Sequence, residues 1–196
     1  YEVIPPYPTS HDSVTIRAGL DAASVIDSVT LQWEIPQQGS LVDNTQPAML
    51  VMGYDRFRYW KGKTAPSEGE EWTKPEFDDS AWPQGEGMHG YGISDMIGTR
   101  LSDMKGNYTS VYARRTFQIA NAETLKNVDL YVFYTAGFIC YLNGVEVARA
   151  NIPQSATYAT LATRSHSIQT PEFYRLENTD GLLRTGNNTI AYVGFT

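Results

Sequence analysis

Apolar and polar residues alternate in short runs along most of this chain, and Gly, Pro, Asn and Asp interrupt the runs. Alternation with a period of two is typical of half-buried β-strands, and almost no stretch has the apolar spacing of a helix. The clearest runs are SVTIRAG, DSVTLQWEI, TSVYARRTFQI, VDLYVFYT, GFICYLNGVEVARAN and NNTIAYVGFT. The pattern predicts an all-β fold, an antiparallel β-sandwich with long loops.

One of these runs contains a strong local turn signal. In YLNGVEVAR the pair Asn143-Gly144 separates two alternating segments. Both residues tolerate the positive φ angles that a two-residue hairpin turn requires. We therefore predict a β-hairpin centred on this pair.

The pattern changes near residue 45, and we predict two parts, residues 1–45 and 46–196. The first has a proline-rich lead-in and two strands, with inward positions at Val14, Ile16, Val29, Leu31 and Trp33. It resembles the opening strands of the immunoglobulin-like modules of secreted bacterial proteins. Two or three strands are marginally stable alone in water. This segment is therefore expected to pack on the rest of its chain or on another chain.

Two long irregular stretches, residues 61–108 and 151–174, separate the strands of the second part. Long ordered loops are usually functional or packed by their own side chains. The first is rich in glycine, with one helical turn expected around KPEFDDSAW, and the second has little apolar content. We expect the two stretches to lie side by side at one end of the sandwich.

Composition and charge narrow the classes of partner. The chain has 196 residues and a formal net charge of -7, with no cluster of Lys and Arg of the kind that binds nucleic acid. No window has the roughly 18 to 20 apolar residues of a membrane-spanning helix. A single cysteine excludes an internal disulfide framework. Abundant Tyr, Thr, Ser, Asn and Gly favour a secreted or cell-surface β-protein.

The order of several fragments resembles a known family. Five fragments follow one another from Arg58 to Val193, namely RYWKG, FDDSAWPQGEGMHGYG, YARRTFQI, LYVFYTAGFICYLNGVEVARANIP and GNNTIAYV. This order is similar to that of the galactose-binding-domain-like jelly roll, especially the sugar-binding accessory domain of family 2 glycoside hydrolases. The resemblance implies a jelly roll of about eight antiparallel strands that is non-catalytic and binds carbohydrate.

The same resemblance implies two further features. Such jelly rolls often hold a structural calcium ion through loop carboxylates and carbonyls, and Asp95 and Asp103 are the candidate ligands here; no other cofactor is expected. Relatives also continue past the strand equivalent to NTIAYV. We therefore expect an open sheet edge, filled by the N-terminal segment of the same chain or of a neighbour.

The adjacent acids Asp78 and Asp79 in EFDDSAWPQG are open to two interpretations. They could be a catalytic carboxylate pair, but neighbouring residues seldom converge on one cleft as glycoside hydrolysis requires. The alternative, which we favour, is a turn in which the acids accept backbone N–H bonds while Phe77 and Trp82 pack into the core. His11, His89 and His166 form no zinc-binding motif, and no catalytic triad motif is present. We predict that the chain is not an enzyme.

Loop aromatic residues are the remaining candidates for ligand binding, because sugars stack their apolar faces on aromatic rings. Trp60, Trp72 and Trp82 are expected in the core. The candidate ligand-binding residues are His89, Tyr91, Tyr108 and Tyr158. His89 and Tyr91 lie among glycines and Tyr158 among small residues. For His89 the alternative is a histidine packed under its own loop.

These observations favour a non-catalytic carbohydrate-binding module of a secreted or cell-surface bacterial protein. Its expected partner is a polysaccharide or glycan, with no nucleic acid and no membrane insertion. A second hypothesis is a self-assembling surface module, whose open sheet edge is completed by strand exchange with other copies of itself or with neighbouring domains.

Overall fold

The computed structural model describes residues 2–4, 15–17, 50–92, 97–125, 127–177 and 179–196. Contacts divide the chain into two compact units, Tyr1–Gln46 and Pro47–Thr196. In the first unit, β1 (Glu2–Ile4) pairs antiparallel with β2 (Thr15–Arg17), which falls in the predicted strand SVTIRAG. The predicted inward positions Val14, Val29, Leu31 and Trp33 lie outside the described residues. The immunoglobulin-like character of this unit stays a prediction.

The second unit is an antiparallel β-sandwich, which confirms the predicted all-β class. Its main layer is a six-stranded sheet with the order β10-β9-β12-β7-β3-β4. These strands are β3 (Arg56–Lys61), β4 (Gln84–Glu86), β7 (Ser110–Ile119), β9 (Gly137–Leu142), β10 (Val145–Ala150) and β12 (Gly186–Phe195).

The smaller elements complete this unit. A two-stranded antiparallel sheet joins β8 (Asn127–Val132) to β11 (Glu172–Glu177), and a short parallel pair joins β5 (His89–Gly90) to β6 (Thr99–Arg100). Two 3-10 helices span Glu71–Thr73 and Ala122–Thr124. None of the helices in the described ranges is long and apolar enough to cross a membrane.

The central strands of the six-stranded sheet are buried on both faces, because successive side chains point to opposite sides. On the face that we call the outer-strand face, Phe138, Cys140 and Tyr192 pack against side chains of β8 and β11. On the opposite face, which we call the loop face, β9 and β12 contribute the next residues along, such as Ile139 and Val193. Two cores therefore flank one sheet.

The loop face is covered by the irregular segment between β3 and β4. Trp72 and Trp82 are both buried there, and Trp60 and Phe77 pack against them. The rings of Trp72 and Tyr112 meet edge to face with centroids 4.9 Å apart. The prediction that the tryptophans belong to the core is confirmed for Trp72 and Trp82, and Trp60 is a partly buried member of the same cluster.

The predicted hairpin is present at Asn143-Gly144. β9 and β10 pair antiparallel on either side of this turn, with Leu142 opposite Val145. The φ angles of Asn143 and Gly144 are 50° and 87°. Positive φ at both central residues is the geometry that matches the twist of the flanking strands.

Three details of the predicted architecture are corrected. The open edge expected beside the last strand is not there, because β12 pairs with β9 on one side and β7 on the other. Residues 172–174, predicted as the end of a long loop, form the first half of β11. The helical turn expected around KPEFDDSAW lies slightly earlier, at Glu71–Thr73. The unpaired edges of the main sheet, among the described residues, are those of β4 and β10.

Candidate functional site

A groove of about 440 Å³ lies where several loops meet at one end of the second unit. It is bordered by the turn after β3, the loop that precedes β7, and the loop between β10 and β11. Three of the four predicted ligand-binding residues, Tyr91, Tyr108 and Tyr158, line this groove. The two long irregular stretches therefore lie side by side, as the sequence predicts.

Hydrogen bonds from side-chain hydroxyls and from backbone amides hold the walls of the groove together. Thr109 Oγ1 and Ser110 Oγ both donate to the carbonyl oxygen of Tyr158, at 3.0 and 2.7 Å. The amide of Thr196 donates to the Thr109 carbonyl at 2.9 Å, and the Ala162 amide donates to the Thr196 carbonyl at 2.9 Å. The loop that carries Tyr158 is thus fixed to the start of β7 and the end of β12.

The turn after β3 approaches the start of β7 closely enough to require glycine. The amide of Gly62 donates to the carbonyl of Ser110 at 2.9 Å. A Cβ atom at position 62 would lie only 1.9 Å from Ser110 Oγ. A larger residue would therefore displace the hydroxyl that holds Tyr158.

The tyrosines of the groove differ in how much of each ring is available. Tyr91 and Tyr158 are 38% and 37% exposed, whereas Tyr108 is 6% exposed and packs with Leu101, Met104 and Val111. The Tyr108 hydroxyl donates to Asp103 Oδ1 at 3.1 Å. Burial, and then this hydrogen bond, raises the pKa of Tyr108. Tyr108 therefore forms the floor of the groove, and the other two present ring surface to solvent.

His89 is placed away from the groove lining. Its Nδ1 lies 2.8 Å from the Tyr192 hydroxyl, and its ring contacts Phe57 and Tyr59 with centroids 6.3 and 5.0 Å away. Burial lowers its pKa from 6.5 to about 4. His89 is therefore a neutral member of the outer-strand core, in line with the packed alternative and not with an exposed ligand-binding role.

Asp103, one of the two predicted calcium ligands, is engaged by lysines. Lys61 Nζ lies 2.9 Å from both carboxylate oxygens, and Lys63 Nζ lies 3.6 Å from Oδ2. The hydrogen bond from Lys61 lowers the pKa of Asp103. Asp95 lies outside the described residues. Within the ranges that the structure covers, no three His, Cys, Asp or Glu side chains group in a way that would hold a metal ion.

The adjacent acids Asp78 and Asp79 have structural partners. Asp78 Oδ1 accepts the backbone amide of Ser80 at 2.9 Å, which is the predicted turn contact. Asp79 instead binds guanidinium groups, Arg114 Nη1 at 2.6 Å and Arg58 Nε at 3.4 Å. Only one of the two acids therefore accepts a backbone amide, and the other anchors the segment to β7 and β3.

Sequence reasoning missed the lysines of the groove. Lys63 and Lys105 line it, yet they are 42 positions apart in the sequence and lie in the unrelated segments KGK and MKGNY. Each follows or precedes a glycine in a turn, which is a weak signal of exposure. Only the folded arrangement brings both ammonium groups to one surface.

Comparisons with known proteins show no family for this chain. No protein-family model and no curated protein matches the sequence. Among solved structures, the chain is similar to a calcium-binding mutant of Bacteroides uniformis β-glucuronidase 2, at 16% identity and a TM-score of 0.43, over 71% of this chain and 14% of that one.

Two further solved structures give similar values. A β-glucuronidase from glycoside hydrolase family 2 is 12% identical with a TM-score of 0.42, over 72% of this chain and 13% of that one. A Faecalibacterium prausnitzii β-glucuronidase is 13% identical with a TM-score of 0.45, over 75% and 21%. This chain thus spans about a fifth or less of the length of each of these three.

Proposed function

We propose that this chain is a non-catalytic carbohydrate-binding module of a secreted or cell-surface bacterial protein, and that its ligand lies in the groove of Tyr91, Tyr108 and Tyr158. The observation that carries the proposal is the pairing of two half-exposed tyrosines with a fixed floor in one concave site. Ligand sites are typically concave, with aromatic surface and a few polar groups that fix orientation.

The polar groups around the rings suit a saccharide. Lys63, Lys105 and Asn107 line the groove together with the tyrosines. Ammonium and amide groups donate hydrogen bonds to hydroxyl oxygens, while ring faces cover the apolar C–H surface of a sugar. The hydrogen-bonded walls also reduce the entropic cost of ordering the loops on binding.

The non-catalytic part of the proposal is supported by the position of the acids. Glycoside hydrolysis uses two carboxyl groups about 5 to 9.5 Å apart on either side of the scissile bond. The described lining of the groove includes no Asp or Glu side chain. Asp78 and Asp79 are engaged by Ser80 and by two arginines.

The test is a polysaccharide array followed by calorimetry on the full chain. We expect Tyr91→Ala and Tyr158→Ala each to weaken binding by about tenfold or more, because each removes a ring surface from the ligand. Tyr54→Ala is the matched control, since Tyr54 is a 69% exposed tyrosine that does not line the groove. An array without any bound polysaccharide, or equal losses in all three variants, would contradict the proposal.

A second candidate function is self-assembly, and one observation favours it. The solvent face of the β8–β11 sheet exposes Tyr131, Phe133 and Phe173, with the Tyr131 and Phe173 ring centroids 5.1 Å apart. Exposed aromatic surface beside unpaired strand edges can join copies of a chain. Sedimentation of the full chain over a concentration series, with Tyr131→Lys as the comparison, tests this. A monomer at every concentration would exclude it.

A further inference from the structure

The charge at the groove is opposite in sign to that of the whole protein. The chain carries a formal net charge of -7. The described groove lining contains Lys63 and Lys105 and no Asp or Glu residue. The groove lined by tyrosines is therefore locally cationic, although the protein as a whole is acidic.

Asp103, the carboxylate that the described residues place beside these lysines, does not neutralise them. Asp103 is bound at 2.9 Å through both oxygens by Lys61. Lys63 lies farther from it, at 3.6 Å, and its side chain stays 58% exposed. Lys105 forms no salt bridge with any described residue. Two lysines thus share the carboxylate of Asp103, Lys61 more closely than Lys63, and Lys105 adds a further positive charge to the groove.

The positions of the lysines relative to the rings matter as much as their number. Lys63 Nζ lies 5.6 Å from the centroid of the Tyr108 ring, at the floor of the groove. Lys105 follows Met104, which packs with Tyr108, and lies in the same short loop as Tyr108. A sugar ring resting against Tyr91 or Tyr158 would share the groove with both lysines, so that carboxylate or sulfate substituents on the sugar would lie in a cationic site.

We infer that the groove selects anionic polysaccharides, those with a carboxylate or sulfate group on the sugar ring, over neutral ones of the same backbone. The inference rests on the proposed function and names its ligand class. Hydrogen bonds between ammonium and anionic oxygens are stronger than those to neutral hydroxyls. Because the lysines are exposed, the preference should fall as salt screens the charges.

The experiment uses matched pairs of polysaccharides on the full chain. Polygalacturonate and its fully methyl-esterified form share one backbone with and without the carboxylate charge, while dextran sulfate and dextran share one backbone with and without sulfate. We expect tighter binding of the charged member in one or both pairs, and the pair that discriminates identifies the anionic group. Raising the NaCl concentration should reduce this preference and leave binding of neutral glycans nearly unchanged.

Variants then assign the preference to the lysines. Lys63→Gln and Lys105→Gln should each reduce binding of the charged member by about two- to fivefold, with little effect on the neutral member. Lys74→Gln is the matched control, because Lys74 is an exposed lysine that pairs with Glu71 and does not line this groove. Thermal melting of each variant checks that the fold is retained.

The possible outcomes separate this inference from the proposed function. Equal binding of charged and neutral members, or an unchanged preference in both groove variants, overturns the inference while the proposed function stands. Absence of binding to every polysaccharide overturns both. Loss of the preference in the groove variants but not in Lys74→Gln supports it.

Discussion

The two faces of the six-stranded sheet are covered in different ways. The outer-strand face packs against β8 and β11, whose side chains alternate between partly buried and exposed along each strand. The loop face packs against an irregular segment that has no ladder of its own. There, hydrogen bonds from the side chain of one buried arginine take the place of the backbone hydrogen bonds that join paired strands. Arg114 is 2% exposed and donates to the carbonyls of Phe77 and Lys74 and to Asp79.

This difference shows where each layer is vulnerable. A regular layer distributes its stability over many similar contacts, so that no single one dominates. In an irregular layer, many backbone carbonyls lack a partner from a neighbouring strand. A buried side chain that donates hydrogen bonds to several of them therefore contributes a large share of the layer's stability. Matched substitutions on the loop face and on the outer-strand face therefore test whether stability is distributed differently in the two layers.

The largest effect is expected for adjacent arginines that point to opposite faces of β7. Arg114→Ala should lower the free energy of unfolding by about 3 to 5 kcal/mol, because it leaves Asp79 and two carbonyls without their buried partner. Arg115→Ala should cost about 1 kcal/mol or less, since Arg115 is half-buried and pairs with Asp55 at 3.3 Å. Urea denaturation measures both. Similar losses of stability in the two variants would mean that Arg114 does not contribute more to the loop face than Arg115 does to the opposite face.

An intermediate effect is expected on the outer-strand face as the pH falls. The pKa of His89 is depressed from 6.5 to about 4 in the folded state. The neutral His89 therefore contributes to the free energy of unfolding above pH 6.5. This contribution is lost as the pH falls from 6.5 to about 4, because the unfolded chain binds a proton that the folded chain does not. We expect a loss of about 2 to 3 kcal/mol between about pH 7 and pH 4.5. His89→Gln should show a smaller loss over the same range, measured by urea denaturation. An unchanged pH profile in this variant would contradict the assignment.

The smallest effect is expected for the two adjacent acids. Asp79→Asn should cost about 1 to 2 kcal/mol, because it weakens the hydrogen bonds to Arg114 and Arg58. Asp78→Asn should leave the stability almost unchanged, since Asn forms the same turn contact with Ser80. Melting curves of the two variants give the difference. The reverse order would show that the turn, and not the arginine pair, holds this segment.

Much of the fold could be predicted from local pattern. The Asn143-Gly144 hairpin and the strands β7, β9 and β12 follow from turn chemistry and alternation, which depend on neighbours in the sequence. By contrast, β11 follows a polar loop, and its pairing with β8 is a long-range choice. The burial of Arg114 also has no local signal in the alternating run YARRTFQI, because nothing in that run indicates its contact with Asp79 on a distant loop.

The groove was predictable only in part, for the same reason. Loop position identified Tyr91, Tyr108 and Tyr158, and the structure brings all three together. Their role in ligand binding stays a prediction until it is measured. Glycines on either side of His89 suggested exposure, but its partner Tyr192 is 103 positions away along the chain. Lys63 and Lys105 carried no local signal that they share a surface.

Cys140 lies on β9, buried between β10 and β12, and its reactivity can be used to measure local opening of the sheet. Cys140 is the chain's single cysteine, and burial raises the pKa of its thiol to about 12. At neutral pH the thiol is therefore almost unreactive while the sheet stays closed. The rate at which a thiol reagent modifies the wild-type chain then measures how often β9 separates from its neighbours. A cysteine added at an exposed site such as Tyr54 would react at once, so a fluorescent label can be placed there selectively.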